Sequence, residues 1–229
     1  MIELQKVSKT YNSDGVRVQA LKSVNLKIED GEYVAVMGRS GSGKSTLLHI
    51  IGAMDSITSG RYLYNGVEIN TLERKEFENF RKEHASFIFQ NYFLIKYYTI
   101  YENIEIPLLA KGIKKKERKA IIEEQMERVG IADIAGKLPI HVSGGQMQRC
   151  AIARALASGS DILLADEPTG ALDKATGEDI MDVFDKIRDG RRTIIMVTHD
   201  EAIAARTDRI VNIEDGVINR QFVEVLKGF

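Results

Sequence analysis

One glycine-rich segment of the sequence has the residue types and spacing that bind phosphate. It consists of Gly38, Arg39, Ser40, Gly41, Ser42, Gly43, Lys44 and Ser45. An uncharged run of strand type, residues 33–37, precedes it, and a helical pattern of apolar residues follows. Glycines let successive backbone amides converge on phosphate oxygens, and a helix N-terminus adds positive potential. We therefore predict a phosphate-binding loop rather than a plain glycine turn. In it, Lys44 reaches the outer phosphates and the Ser45 hydroxyl ligates Mg²⁺.

Two carboxylates follow a second buried run of strand type. Residues 161–165 lead directly into Asp166 and Glu167. In open α/β sheets the carboxyl ends of the strands form the ligand-binding edge. We expect Asp166 to hold Mg²⁺ there through water, and Glu167 to polarise the water that attacks the γ-phosphate. His199 follows another such run, residues 193–197, and is expected beside the γ-phosphate for the same reason.

A third segment has the pattern of a capped helix start. Ser143 and Gln146 have the spacing of a capping box, and the two residues between them are glycines. Open backbone amides at a helix start can bind an anion. From these four residues alone, a simple capped helix with a flexible entry is an equally good interpretation.

The segment from Val142 to Gln146 resembles the signature motif of the ABC (ATP-binding-cassette) ATPases, with Val142 where Leu is usual. The other motifs of that family occur in the expected order, from Tyr11 to about residue 220. The resemblance implies that ATP is bound with Mg²⁺, that Ser45, Gln90 and Asp166 hold the metal, and that Glu167 and His199 are catalytic. It also implies that ATP is contacted by Tyr11, which would stack on adenine, and by all eight phosphate-loop residues from Gly38 to Ser45. The remaining implied nucleotide contacts are Thr46, Gln90, Ser143, Gly144, Gly145, Gln146 and Asp173.

Further segments resemble one branch of the family, which serves lipoprotein release, macrolide export and bacitracin resistance. The segments are 12–21, 89–91, 102–103, 107–109 and 166–173. Residues 57–60 depart from that branch, because Ile57 precedes Thr58 where Pro is usual. This departure lies away from the predicted chemistry.

The order of strand and helix patterns predicts an α/β fold. Strand patterns in the first thirty residues, an Asn65-Gly66 hairpin signal, and buried runs alternating with helices indicate a parallel sheet with a β region before it. Residues 99–129 are predicted to be helical, as is the stretch 174–188. The resemblance implies a P-loop NTPase with a RecA-like parallel-sheet core, an N-terminal antiparallel β subdomain and an inserted helical subdomain. We place the core at 1–90 and 156–229 and the helical signature subdomain at 91–155.

Composition excludes several other classes of protein. The 229 residues have a formal net charge of −1, unlike the basic surface of a nucleic-acid binder. One cysteine, Cys150, excludes an internal disulfide framework and a cysteine-based zinc site, and we expect it to be a small buried group. The apolar run 87–95 is far shorter than the roughly 20 residues of a spanning helix. We therefore expect a cytoplasmic chain that reaches a membrane only through a partner.

The resemblance implies two partners and leaves two functions open. Two copies would face each other head to tail, with each ATP between the phosphate loop of one copy and the signature segment of the other. An integral membrane permease would hold the pair at the inner face of the membrane. The first function is an ATPase subunit of a membrane transporter, of an export or peptide and antibiotic-resistance type. The second is a regulatory ATPase of a cell-division-type complex that transports nothing.

An aromatic-rich stretch is the candidate surface for the membrane partner. Seven Phe and Tyr residues fall within 87–101, next to Gln90. Aromatic residues are enriched at protein interfaces, so we expect this stretch to dock the permease, with Phe87 and Phe89 the two that a strand would place in the core. Changing Tyr97 and Tyr98 together to Ala tests this. Packing of all seven between the two subdomains is the alternative.

Overall fold

The computed structural model describes residues 1–13 and 15–222. The predicted domain also contains Asp14 and residues 223–229, which lie outside the described residues. Within the described ranges, no helix is both long enough and apolar enough to cross a membrane.

A four-stranded antiparallel sheet is built from the N-terminal part of the chain. Its strands are β1 (Ile2–Ser13), β2 (Val16–Ile28), β4 (Ser59–Tyr64) and β5 (Val67–Glu68), in the order β2-β1-β4-β5. Asn65 and Gly66 both have positive φ, which the predicted hairpin turn requires. The predicted N-terminal β region is therefore present.

A six-stranded sheet forms the centre of the molecule. Its strands are β3 (Tyr33–Met37), β6 (Ala85–Phe89), β7 (Ile162–Asp166), β8 (Thr193–Val197), β9 (Arg209–Glu214) and β10 (Val217–Phe222). The order is β10-β9-β3-β8-β7-β6, and all pairs are parallel except β9 with β10. Strands β3, β7 and β8 consist almost entirely of buried residues, as expected for a parallel sheet covered on both faces. The α/β prediction is confirmed.

Seven α-helices connect and cover these strands in the described chain. They are α1 (Lys44–Ile51), α2 (Arg74–His84), α3 (Ile100–Ala110), α4 (Lys115–Val129), α5 (Gly144–Ala157), α6 (Lys174–Ile187) and α7 (Glu201–Ala204). The predicted helical stretch 99–129 is two helices, because Gly112 adopts φ +71° and turns the chain between them. Helix α2 was not predicted, although Glu73 and Glu76 form a capping box at its start.

The helical segment 91–155 packs continuously onto the central sheet. One core cluster joins buried residues of α3, α4 and α5 to residues of β6, β7 and β8. A second cluster lies on the other face of the sheet, between it, α1 and the antiparallel sheet. The boundaries at residues 91 and 155 remain predictions, since α5 continues to Ala157.

Candidate functional site

The central sheet brings the predicted chemical residues to one edge because its strands end in register. Phe89 pairs with Asp166, Asp166 with Val197, and Val36 with Val197. The residues that follow these positions therefore emerge side by side at the carboxyl edge. They are Gly38, Gln90, Glu167 and His199.

The phosphate loop turns sharply between β3 and α1. Gly38 has φ +158°, and a Cβ there would lie 2.2 Å from the carbonyl oxygen of Ile213, so no other residue fits without a shift. Gly43, also at positive φ, is the N-cap of α1. Gly216 donates a backbone hydrogen bond to the Ser42 carbonyl at 3.0 Å, which fixes the loop to the β9–β10 turn. The predicted strand, loop and helix are all present.

Lys44 lies folded against the loop that precedes it. Its Nζ donates to the carbonyl oxygens of Gly38 at 2.8 Å and Arg39 at 2.9 Å, and the residue is only 8% exposed. Ser42 is buried, and its Oγ has no hydrogen-bond partner among the residues that the structure describes. An amine and a hydroxyl held in this way are donors that a phosphate group can use.

A cavity of about 530 Å³ opens over this loop. Most of the predicted nucleotide and catalytic residues line it together. They are Gly38, Arg39, Ser40, Gly41, Gly43, Lys44, Ser45, Thr46, Glu167 and His199. The cavity is also lined by residues that the sequence analysis did not predict, among them Gln19, Lys22, Asp215 and Gly216. The Asp-Gly pair at 215–216 is a hairpin signal, which could have indicated that a turn lies there.

The three predicted metal ligands share a second cavity of about 240 Å³. Ser45, Gln90 and Asp166 line it, and Glu167 and Ser45 line both cavities, so the two are adjacent. In the described chain no cluster of three or more His, Cys, Asp or Glu side chains could hold a metal by itself. One carboxylate with a hydroxyl and an amide fits Mg²⁺, which completes its shell with phosphate and water oxygens.

Glu167 and His199 contact each other at the edge of the larger cavity. His199 Nδ1 lies 3.0 Å from Glu167 Oε2. Glu167 has φ +47°, an uncommon conformation for a residue with a side chain, and its backbone amide donates to the Val197 carbonyl at 3.0 Å. A strained residue held this way is typical of functional sites. Gly170 allows the approach of Gln90, whose Nε2 would lie 2.9 Å from a Cβ added there.

Seven predicted site residues lie outside the lining of these two cavities in the described chain, and one of them is the buried Ser42. Ser143 caps α5 and forms the predicted capping box with Gln146. Asp173 caps α6, accepting from the Thr176 amide at 3.0 Å, and this bond lowers the pKa of its carboxyl. Gly144 and Gly145 pack beside this second helix start, against Leu172 and Thr176. The signature segment and Asp173 therefore form one surface.

Tyr11, the last of these residues, lies beside the loop. Its hydroxyl donates to Asp55 Oδ2 at 2.7 Å, and the residue is 40% exposed. Burial and the hydrogen bond to Asp55 raise the pKa of Tyr11. Thr46, which lines the larger cavity, also hydrogen-bonds to Tyr11.

Arg154 connects α5, the helix that begins in the signature segment, to the residues that follow Gln90. The sequence analysis did not predict this contact. Its guanidinium donates to the carbonyl oxygens of Tyr92 at 2.8 Å and Phe93 at 2.6 Å. Both of those residues have positive φ. Burial lowers the pKa of Arg154. Arginine in the last turn of α5 thus holds two consecutive residues in a conformation that side chains disfavour.

Known proteins are similar to this chain over almost all of its length. The sequence profile described as ABC transporter matches residues 21–170. The macrolide export ATP-binding/permease protein MacB of Salmonella paratyphi A is 46% identical over 218 residues, which is 95% of this chain and 34% of that protein. The chain thus spans about a third of the length of the curated relatives it matches.

Two solved structures of one cassette cover this chain completely. The dimeric structure of MJ0796, described as a bacterial ABC transporter cassette, superposes with a TM-score of 0.90 at 41% identity, and all of each chain is covered. A post-hydrolysis dimer of the same cassette, bound to ADP and Pi, gives 0.89 at 40% identity, again over all of each chain. Because the family profile matches more than half of the sequence, the chain belongs to the ABC transporter family, of which it forms an ATPase cassette domain.

Proposed function

We propose that this chain binds ATP with Mg²⁺ in the cavity over the phosphate loop and hydrolyses it. One observation carries the proposal: Lys44, Glu167 and His199, which come from three distant parts of the sequence, line the same cavity. Lys44 and the loop amides bind the phosphates, and two loop carbonyls hold the Lys44 amine at the loop.

Ser45, Gln90 and Asp166 are the residues that would hold Mg²⁺. Bound there, the ion would neutralise charge on the phosphate oxygens. The support is their common cavity, which adjoins the phosphate loop through Ser45.

Glu167 is the residue that activates water. A water oxygen attacks the γ-phosphorus, the bond from that phosphorus to the oxygen bridging to the β-phosphate breaks, and the water proton passes to the Glu167 carboxylate. The products are ADP and inorganic phosphate. The 3.0 Å contact with His199 holds the Glu167 carboxylate at the cavity edge. Because a neutral imidazole has one N–H, His199 would turn that N–H from the carboxylate to the γ-phosphate once ATP is bound.

A second copy of the chain completes the site. In one chain, Ser143 and Asp173 lie on a surface outside both cavities, which leaves the exposed mouth of the ATP cavity without the signature segment. Head-to-tail pairing would place the signature segment of one copy over the ATP of the other. The solved structure of the related cassette MJ0796 is described as dimeric, in agreement with this arrangement.

The pair would drive an integral membrane permease from the cytoplasmic face of the membrane. The relative MacB is named as an export ATP-binding/permease protein, which favours an exporter or a peptide and antibiotic-resistance transporter. Phe93, Tyr97 and Tyr98 are 62%, 90% and 44% exposed, so they are surface residues rather than core. A largely apolar groove of about 360 Å³, lined in part by Phe87, Phe89 and the exposed Phe93, would receive a cytoplasmic segment of the permease.

The regulatory cell-division type of ATPase remains the second candidate, because both would use the same ATP site. Identification of the membrane protein that co-purifies with this chain distinguishes the two.

The test of ATP hydrolysis is an assay of ADP and phosphate release with Mg²⁺ present, for the wild type and for Lys44→Ala. We expect one phosphate released per ADP by the wild type and little release by the variant. A wild-type chain that releases no phosphate, alone and with its membrane partner, would refute the proposal.

A further inference from the structure

A network of three side chains connects Tyr11 to the far end of the helix that carries the phosphate loop. Tyr11 donates its hydroxyl proton to Asp55 Oδ2 at 2.7 Å. The other oxygen, Asp55 Oδ1, accepts from Lys9 Nζ at 2.5 Å and from the Ser56 amide at 2.7 Å. Each carboxylate oxygen is thus used by a different partner, so the carboxylate cannot rotate freely.

Lys9 is a buried cation that contacts both Asp55 and Tyr11. It is 8% exposed and donates a further hydrogen bond to the Ser56 carbonyl at 2.6 Å. Its Nζ also lies over the Tyr11 ring, 4.9 Å from the centroid. Lys9 therefore fixes the carboxylate that holds the Tyr11 hydroxyl and also covers one face of the ring.

Asp55 is itself tied to the phosphate-loop helix. Its backbone amide donates to the carbonyl of His49 in α1 at 3.3 Å, as does that of Met54 at 2.9 Å. At the other end of α1, Thr46 hydrogen-bonds to Tyr11. The Tyr11 ring is thus held from both ends of the helix that begins at Lys44.

The exposed Tyr11 side chain stands next to a residue that lines the cavity. Tyr11 pairs with Val18 across β1 and β2, and paired residues of antiparallel strands project to the same side. Val18 lines the cavity and is 53% exposed. Together these two side chains offer a planar ring and an apolar neighbour next to the phosphate loop, which suits the flat face of a nucleobase.

We propose that Asp55, fixed by Lys9, is a positioning residue that holds the Tyr11 ring in the orientation that stacks on the base of ATP. This inference rests on the proposed function, since it needs ATP in the cavity. It concerns the base only, so binding of a triphosphate without a base is independent of it.

The experiment compares ATP with inorganic tripolyphosphate as ligands of the full chain, by calorimetric titration with Mg²⁺. The variants are Tyr11→Phe, which keeps the ring and removes the hydroxyl, and Asp55→Asn, which keeps the size and removes the charge. We expect each to bind ATP about tenfold more weakly, the effect of one charge-assisted hydrogen bond. Tripolyphosphate affinity stays at the wild-type value.

A double variant and a control complete the design. Tyr11→Phe with Asp55→Asn should bind ATP no more weakly than either single variant, because both remove one interaction. Asp133→Asn changes an exposed aspartate on a distant segment and should leave both affinities unchanged. Melting temperatures check folding. If Asp55→Asn destabilises the chain, Tyr11→Phe still tests the inference, because it leaves the Lys9–Asp55 pair intact.

Two results would overturn the inference. One is wild-type ATP affinity in Tyr11→Phe and Asp55→Asn. The other is an equal loss of tripolyphosphate affinity, which would show a change in the phosphate loop itself. A wild-type chain that binds neither ligand would instead refute the proposed function.

Discussion

Lys44→Ala measures how much the Lys44 amine contributes to ATP binding, separately from the rest of the phosphate loop. Lys44 Nζ is held by two loop carbonyls, at 2.8 and 2.9 Å, in a position where phosphate oxygens can replace or join them. A hydrogen bond from a charged group contributes about 1.5–3 kcal/mol. Loss of that contact corresponds to roughly tenfold to a hundredfold weaker ATP binding.

The same substitution has a smaller, separate effect on folding. It removes two hydrogen bonds to the carbonyls of Gly38 and Arg39, which we value at only about 1 kcal/mol each because water competes at this exposed loop. Arg39 is exposed, so water can reach this loop and replace part of the loss. For a chain of this size we expect the melting temperature to fall by about 8 °C at most.

Titration of each protein with a fluorescent ATP analogue measures the affinity, and thermal melting checks the fold. Lys116→Ala is the matched control, because it removes an exposed lysine from α4. We expect wild-type affinity for this control. Unchanged affinity in Lys44→Ala, with the fold intact, would refute the assignment of the phosphate loop.

We make three further predictions, on hydrolysis, on docking of the membrane partner and on burial of the cysteine. His199→Ala should slow hydrolysis by roughly 100-fold in an ATPase assay while ATP affinity changes little, because the 3.0 Å contact to Glu167 and a donor to the γ-phosphate are lost; near-normal turnover would contradict this role. Tyr97→Ala with Tyr98→Ala should abolish binding to the membrane partner in a pull-down while basal ATPase activity stays the same, since both side chains are exposed; retained binding would exclude docking there. Cys150 is fully buried, and burial raises its pKa to about 12, so thiol reagents at pH 8 should label it only after unfolding, and rapid labelling of the native chain would contradict its burial.

Much of the fold and the central part of the site could be predicted from the sequence because their signals are local. A buried strand, a glycine loop and a helix stand next to each other at 33–51, and Asp166 follows its strand directly. Parallel strands place their carboxyl ends at one edge, so the proximity of Lys44 and Glu167 follows from the strand pattern. Cavity walls from Gln19 and Lys22 could not be predicted, since they depend on how the antiparallel sheet packs on α1.

The remaining features depend on contacts between distant residues. Asp55 is 44 residues from Tyr11, and Arg154 is 61 residues from the Phe93 carbonyl that it holds. Nothing in the local pattern indicates that Tyr92 and Phe93 have positive φ, because such residues rarely adopt it without tertiary contacts. The sequence pattern predicted one helical stretch over 99–129. The left-handed turn at Gly112 divides it into α3 and α4.

A single-turnover comparison of the wild type with Glu167→Gln, using γ-labelled ATP and Mg²⁺ in excess of nucleotide, tests the central claim most directly. The amide keeps the shape of the side chain and removes the carboxylate that accepts the water proton. We expect ATP affinity within about threefold of the wild type. Phosphate release should be at least about 100-fold slower, the contribution of a positioned base. The variant should also accumulate as an ATP-bound dimer in sedimentation. Phosphate release at the wild-type rate would contradict the account, because Glu167 would then not activate the attacking water.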